Sequence, residues 1–109
     1  MKVRELLADE SAWTKGQMAR QENGMMAYPE SRYACKWCLD GAIDRCYPAG
    51  GPAVRAKVLR ELAPFLPDSS NEHARYPGSR GARCAITWWN DLPSTEFAHV
   101  RELVEKLDV

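Results

Sequence analysis

Two tryptophan-anchored motifs constrain this chain most. One is Trp37-Cys38-Leu39-Asp40-Gly41-Ala42-Ile43, and the other is Trp88-Trp89-Asn90-Asp91, just before the C-terminal segment. Such residues are costly in a small domain unless geometry demands them. A glycine inside a helix costs about 1 kcal/mol relative to alanine, and a buried amide or carboxylate must find hydrogen-bond partners. The two motifs therefore mark where the fold is pinned.

The rest of the chain reads as helices around those pins. Val3, Leu6 and Leu7 stand at i, i+3, i+4 and predict a short first helix. Asn23-Gly24 tolerates the positive φ angles of a tight turn, so a short β-hairpin is expected near 17–28. Pro29-Glu30 suits a first helical turn, and Pro48 with Gly50-Gly51 marks a stop. The sequence thus predicts a central helix over about 30–47. In it Arg32, Lys36, Asp40 and Asp44 repeat every four residues as one polar stripe, and nearly everything else is apolar or small. A helix apolar over most of its circumference is buried on most sides. Gly41-Ala42 then reads as the point where another helix comes close.

A third helix opens at Pro52, with Val54, Val58, Leu59, Leu62 and either Phe65 or Leu66 on one face. Residues 68–82 read as a polar loop, with one helical turn at Glu72–Tyr76. Cys84 to Trp89 is too short for periodicity to separate strand from helix. Asn90-Asp91-Leu92-Pro93 reads as a turn, and Ser94 or Thr95 as the cap of the last helix. In that helix Phe97, Val100, Leu103, Val104 and Leu107 form a stripe. Asp91 is expected to accept hydrogen bonds from the amides of the Leu92–Thr95 turn or of the helix behind it. The expected architecture is one mainly α domain over 1–109, packed on the central helix.

Composition excludes several classes. The chain has 15 basic and 15 acidic residues, whereas a nucleic-acid binder shows a basic excess or patch. Arg75, Arg80 and Arg83 fall in a Gly-flanked stretch that reads as a solvated loop rather than a phosphate clamp. No apolar run approaches the ~18 residues of a membrane span, and Met1 to Glu10 has no secretory character. A cytoplasmic protein is expected. In that compartment Cys35, Cys38, Cys46 and Cys84 would be reduced thiols or metal ligands.

Chemistry has few footholds. Four cysteines could hold zinc, but there is a single CxxC, mid-helix in this reading, and Cys46 and Cys84 are scattered. Small apolar filling suits them better, and no metal is expected. A redox dithiol belongs at a helix N-terminus after a strand, which does not match the expected helix. A Cys-His-Asn triad could be drawn from Cys38, His73 or His99, and Asn90 or Asp91, yet nothing in the sequence brings them together. No Gly-rich phosphate loop, HExxH or other cofactor motif appears, and no cofactor is expected.

The order Trp13…Gly24, then Trp37-Cys38-x-x-Gly41-Ala42, then Trp89-Asn90-Asp91 before an amphipathic helix, resembles a family of uncharacterised small proteins of bacteria and their phages, a domain of unknown function. The resemblance covers nearly the whole chain and implies no activity. Carried over by position, it singles out Trp37, Cys38, Gly41, Ala42, Trp89, Asn90 and Asp91. Trp88 and the other cysteines are extra to it, as are both histidines.

The functional expectation is therefore a small bacterial or phage accessory protein acting by protein–protein interaction, on a host or defence component. The alternative is a small enzyme or ligand-binding domain with a pocket near Cys38, Asn90 and Asp91. The candidate functional or fold-defining residues are Trp37, Cys38, Gly41, Trp89, Asn90 and Asp91.

Overall fold

The Asn23-Gly24 pair turns the chain back on itself. Gly24 sits at φ 87°, in the left-handed region that glycine adopts at little cost. The Asn23 carboxamide oxygen accepts from Met25 N at 3.0 Å, and Gln21 N donates to Met25 O at 2.8 Å. In the computed structural model, which describes residues 1–66 and 80–109, this turn joins β1 (Ala19–Arg20) to β2 (Met26–Ala27). The hairpin expected near 17–28 is present. A third strand, β3 (Lys36–Trp37), pairs antiparallel with the other side of β1, giving the order β2-β1-β3. Ala19 stands in register between Ala27 and Trp37. Trp13 bridges Trp37 in parallel, and Thr14 N donates to Trp37 O at 3.1 Å.

Strand β3 shortens the central helix. Instead of beginning at Pro29, α2 runs over Leu39–Cys46. The reason lies in where the preceding backbone finds partners. Cys35 N donates to Arg20 O at 2.9 Å and Cys38 N to Met18 O at 3.1 Å, so sheet pairing takes the amides a longer helix would have used. Arg32 and Lys36 consequently leave the polar stripe, and Asp40 and Asp44 keep it. The central position holds. Leu39, Ala42 and Ile43 are fully buried, and α2 touches α1 (Val3–Leu6), α3 (Gly51–Leu62) and α4 (Arg80–Asp91).

Helix α3 has Pro52 in its first turn and buries Val54, Val58, Leu59 and Leu62. It ends in a 3-10 turn over Ala63–Phe65. Of the two residues that could complete its apolar face, Leu66 is buried and Phe65 is 68% exposed.

The stretch 84–89 is helical, as part of α4. Ala82, Ala85, Ile86 and Trp89 repeat at i, i+3, i+4, i+7 and are all buried, which is a helical stripe. Asn90 and Asp91 are therefore the last residues of a helix, not the start of a turn. Arg83, expected in a solvated loop, rides on α4. Residues 80–82 are helical as well, and the rest of that expected loop, with the turn at Glu72–Tyr76, falls outside the described residues.

The last helix, α5, spans Phe97–Leu107 and buries Val100, Leu103 and Val104. Its N-cap is Glu96, not Ser94 or Thr95. Thr95 instead fastens the end of α4, its buried hydroxyl donating to Trp89 O at 2.7 Å. The fold is mainly α, five α-helices among the described residues with one small antiparallel sheet. No helix among the described residues is long and apolar enough to cross a membrane.

Candidate functional site

Asn90 ties the two tryptophan motifs together. It is fully buried at the end of α4. Its Oδ1 accepts from the Trp13 indole Nε1 at 2.8 Å and from Leu39 N at 3.0 Å. Its Nδ2 donates to Thr14 O at 3.1 Å and to Asp91 Oδ1 at 2.9 Å. Leu39 opens α2, so Asn90 caps one of that helix's unpaired amides from a distant segment. A buried carboxamide is stable only with its hydrogen bonds filled, and here every position is taken.

Asp91 works beside it. Its Oδ1 also accepts from Gly16 N at 3.1 Å. This corrects the expectation that it accepts from the Leu92–Thr95 turn or the helix behind it. Because α4 continues through Asp91, its side chain faces the Trp13–Gly16 connection instead.

Gly41 corrects a second expectation. A Cβ built there would lie 1.9 Å from Met18 O. The close approach is to the backbone just before β1, not to another helix. That same Met18 carbonyl accepts from Cys38 N, so the missing side chain at Gly41 makes room for the link between α2 and the sheet. Trp37 is nearly buried, with its Nε1 donating to Pro29 O at 3.0 Å. The Arg45 guanidinium lies 5.5 Å from its ring centroid, and Arg45 also donates to Ser31 O at 2.9 Å. Together they hold the turns between β2 and β3.

Cys38 is the N-cap of α2, its Sγ accepting from Gly41 N at 3.3 Å. It is 1% exposed. Burial pushes its thiol up to about 12, helped by the nearby charges of Asp40 and Asp91 and opposed by the Gly41 amide. A thiol held there is protonated at neutral pH and is a poor nucleophile or metal ligand. Cys35 and Cys84 are exposed and Cys46 intermediate, all as free thiols. Among the described residues no group of three or more His, Cys, Asp or Glu side chains is placed to hold a metal ion. His73 lies outside the described residues.

A second polar cluster joins three helices. Asp40 and Arg55 are almost sealed from solvent and meet at 2.7 Å. Arg55 reaches on to Asp44 at 2.8 Å, and Arg83 clamps Asp44 through two nitrogens, each at 2.8 Å. Burial pushes the Asp40 carboxyl up against the pull of Arg55 and Arg83. At Asp44 burial also pushes up, but hydrogen bonds from Arg83 and Arg55 outweigh it and hold the carboxyl below its usual range. The network links α2, α3 and α4. In the sequence the i, i+4 spacing of Asp40 and Asp44 is visible, but their basic partners are not.

Open surface lies elsewhere. A groove of about 460 Å³ runs between the end of α3, the α4–α5 connection and α5. Leu62, Trp89, Leu92 and Leu103 supply apolar lining, together with the largely exposed Phe65. Of the six candidate residues singled out in the sequence, Trp89 alone lines it; Trp37, Cys38, Gly41, Asn90 and Asp91 do not. His99 and Glu102 also face the groove, as do Lys106 and Glu61, which pair with each other at 2.9 Å. His99 Nδ1 accepts from Glu96 N at 3.0 Å, which leaves Nε2–H as its outward donor. In the sequence Phe65 and Leu103 stand out only as members of core stripes, so the groove itself carries no sequence signal.

Fold and groove together define a small helical domain with a minor sheet and a recessed apolar face. The chain belongs to a family of unknown function, DUF6197, whose model matches residues 1–107. No curated protein and no solved structure matches it.

Proposed function

We propose that this is a small accessory protein of a bacterium or its phage that works by binding another protein, and that the partner docks in the groove between α3 and α5. The observation that carries the reading is the groove itself, an open recess of about 460 Å³ with Phe65 68% exposed beside it. Apolar recesses of that size with a few polar groups at the margin are where proteins take up ligands and anchoring side chains. Balanced charge also favours a protein partner over nucleic acid.

The alternative, a ligand pocket at Cys38, Asn90 and Asp91, has less support. Cys38 and Asn90 are buried, and Cys38 Sγ, both polar atoms of the Asn90 carboxamide and Asp91 Oδ1 are engaged within the fold.

The test is affinity capture from a host lysate with the wild type and Phe65→Ser side by side, read by mass spectrometry. A stoichiometric partner retained by the wild type and lost by a folded Phe65→Ser protein supports the reading. A partner held equally by both removes the groove from it.

A further inference from the structure

Resting on that groove reading, we infer that the occupant is a basic amphipathic helix of a partner protein, with a large apolar side chain as anchor and a lysine or arginine about one turn away. Two features point to it. The first is the groove's shape. His99, Glu102, Leu103 and Lys106 line one side, and they follow i, i+3, i+4, i+7 along α5. That is about two helical turns, or ~10 Å of length. A helix laid alongside can seat anchors at i and i+4 over that distance, which is how helix-in-groove recognition works.

The second feature is charge. The groove carries two carboxylates, Glu61 and Glu102, and one ammonium, Lys106. Lys106 is already paired with Glu61 at 2.9 Å. The Glu102 carboxylate has no hydrogen-bond or ion-pair partner among the described residues, and it stands midway along the α5 side, next to the apolar Leu103. An approaching cation meets an uncommitted carboxylate there, and an approaching anion meets repulsion. Electrostatic complementarity of this kind selects partners and orientation more than it adds raw affinity. The apolar lining supplies the anchor pocket, and Glu102 sets the sign of the flanking residue.

The experiment uses the full chain, labelled with ¹⁵N, and two short capped helix-forming peptides. Both present the same leucine and phenylalanine face; one is flanked by lysines and the other by glutamates. The lysine peptide is expected to bind saturably, shifting the amides of Leu62, Leu92 and Leu103. Glu102→Gln should weaken it by about threefold to fivefold, as an exposed ion pair allows. Phe65→Ala should weaken it by about tenfold, as for a contact next to the anchor. Added salt should weaken the wild-type complex and leave the Glu102→Gln complex nearly unchanged.

Equal binding of both peptides, still sensitive to Phe65→Ala, would overturn the charge inference and leave the groove reading standing. No saturable shift at the groove with either peptide would overturn both. Groove shifts that grow with protein concentration in the absence of peptide would show a second copy of the chain as the occupant, and would also overturn the inference.

Discussion

The indole of Trp13 donates to Asn90 Oδ1 at 2.8 Å, across 77 residues of sequence. The same oxygen accepts from Leu39 N at the start of α2. One atom thus holds the N-terminal connection, the central helix and the end of α4. Asn90→Ala should leave the Trp13 indole and the Leu39 amide without partners, each unsatisfied buried donor costing about 1–3 kcal/mol. Asn90→Asp retains the acceptor but removes the donor to Thr14 O and sets a second carboxylate against Asp91. Chemical denaturation should rank both variants well below the wild type. Wild-type stability in Asn90→Ala would show that the carboxamide serves something other than the fold.

Gly41 admits no side chain. Its absent Cβ would fall 1.9 Å from a backbone oxygen, which cannot swing aside as a flexible side chain could. Gly41→Ala should therefore cost about 3 kcal/mol, at the upper end of overpacking effects, despite the better helix propensity of alanine. The check is a thermal melt. A gain in melting temperature, as propensity alone predicts, would contradict the close contact with Met18.

The Asp40–Arg55 pair yields a prediction with a pH sign. Arg55→Met leaves a buried carboxylate without its nearest counter-charge, a loss of about 3–5 kcal/mol near neutral pH. Asp40 already has its carboxyl pushed up by burial. A raised acid penalises the fold at neutral pH, and the penalty is relieved as pH falls through its folded pKa, when the group takes a proton. The gap between wild type and Arg55→Met should therefore narrow as pH falls from 7 toward the carboxylate range. Asp44 has the opposite sign: held low, it contributes stability above the usual carboxylate value and loses it as pH falls through its folded pKa. The Asp44→Asn deficit should be largest near neutral pH and shrink in strong acid. Urea midpoints measured across pH test both, and a gap in Arg55→Met that widens toward acid would contradict the account.

Much of this fold was legible. The apolar stripes of α1, α3 and α5 and the Asn23-Gly24 turn mark their elements because local spacing and local chemistry agree there. The error at 30–38 has a definite cause. The four-residue repeat from Arg32 to Asp44 looks helical throughout, but its first half belongs to turns and an edge strand whose partners, Met18 and Arg20, are nearer the N-terminus. The true cap, Cys38, is not among the residue types that signal a helix start. The sequence singled out Asn90, Asp91 and Gly41. It assigned local partners or a helix where the structure has Trp13, Gly16 and Met18, because long-range pairing leaves no periodic trace. The groove was illegible for the same reason: Phe65 and Leu66 are equivalent in the stripe, and only tertiary packing turns one inward and leaves the other out.

Cys38 gives a chemical check. It is 1% exposed and its thiol is pushed up to about 12, whereas Cys35 and Cys84 are exposed. Iodoacetamide at mildly alkaline pH should alkylate Cys35 and Cys84 in the folded protein and reach Cys38 only on unfolding, since the thiolate is the reacting form. Peptide mapping by mass spectrometry reads this directly. Rapid labelling of Cys38 in the native state would reopen its reading as a nucleophile.

Amide hydrogen–deuterium exchange, with and without the captured partner, separates the two surfaces most directly. Binding should slow exchange in Glu61–Leu66 and in His99–Lys106, the flanks of the groove, and leave Met18–Arg20, Trp37–Gly41 and Asn90–Asp91 unchanged, because those segments are already locked by the Asn90 and Met18 contacts. New protection confined to Trp37–Gly41 and Asn90–Asp91, with α5 unaffected, would contradict it and return the function to the tryptophan motifs.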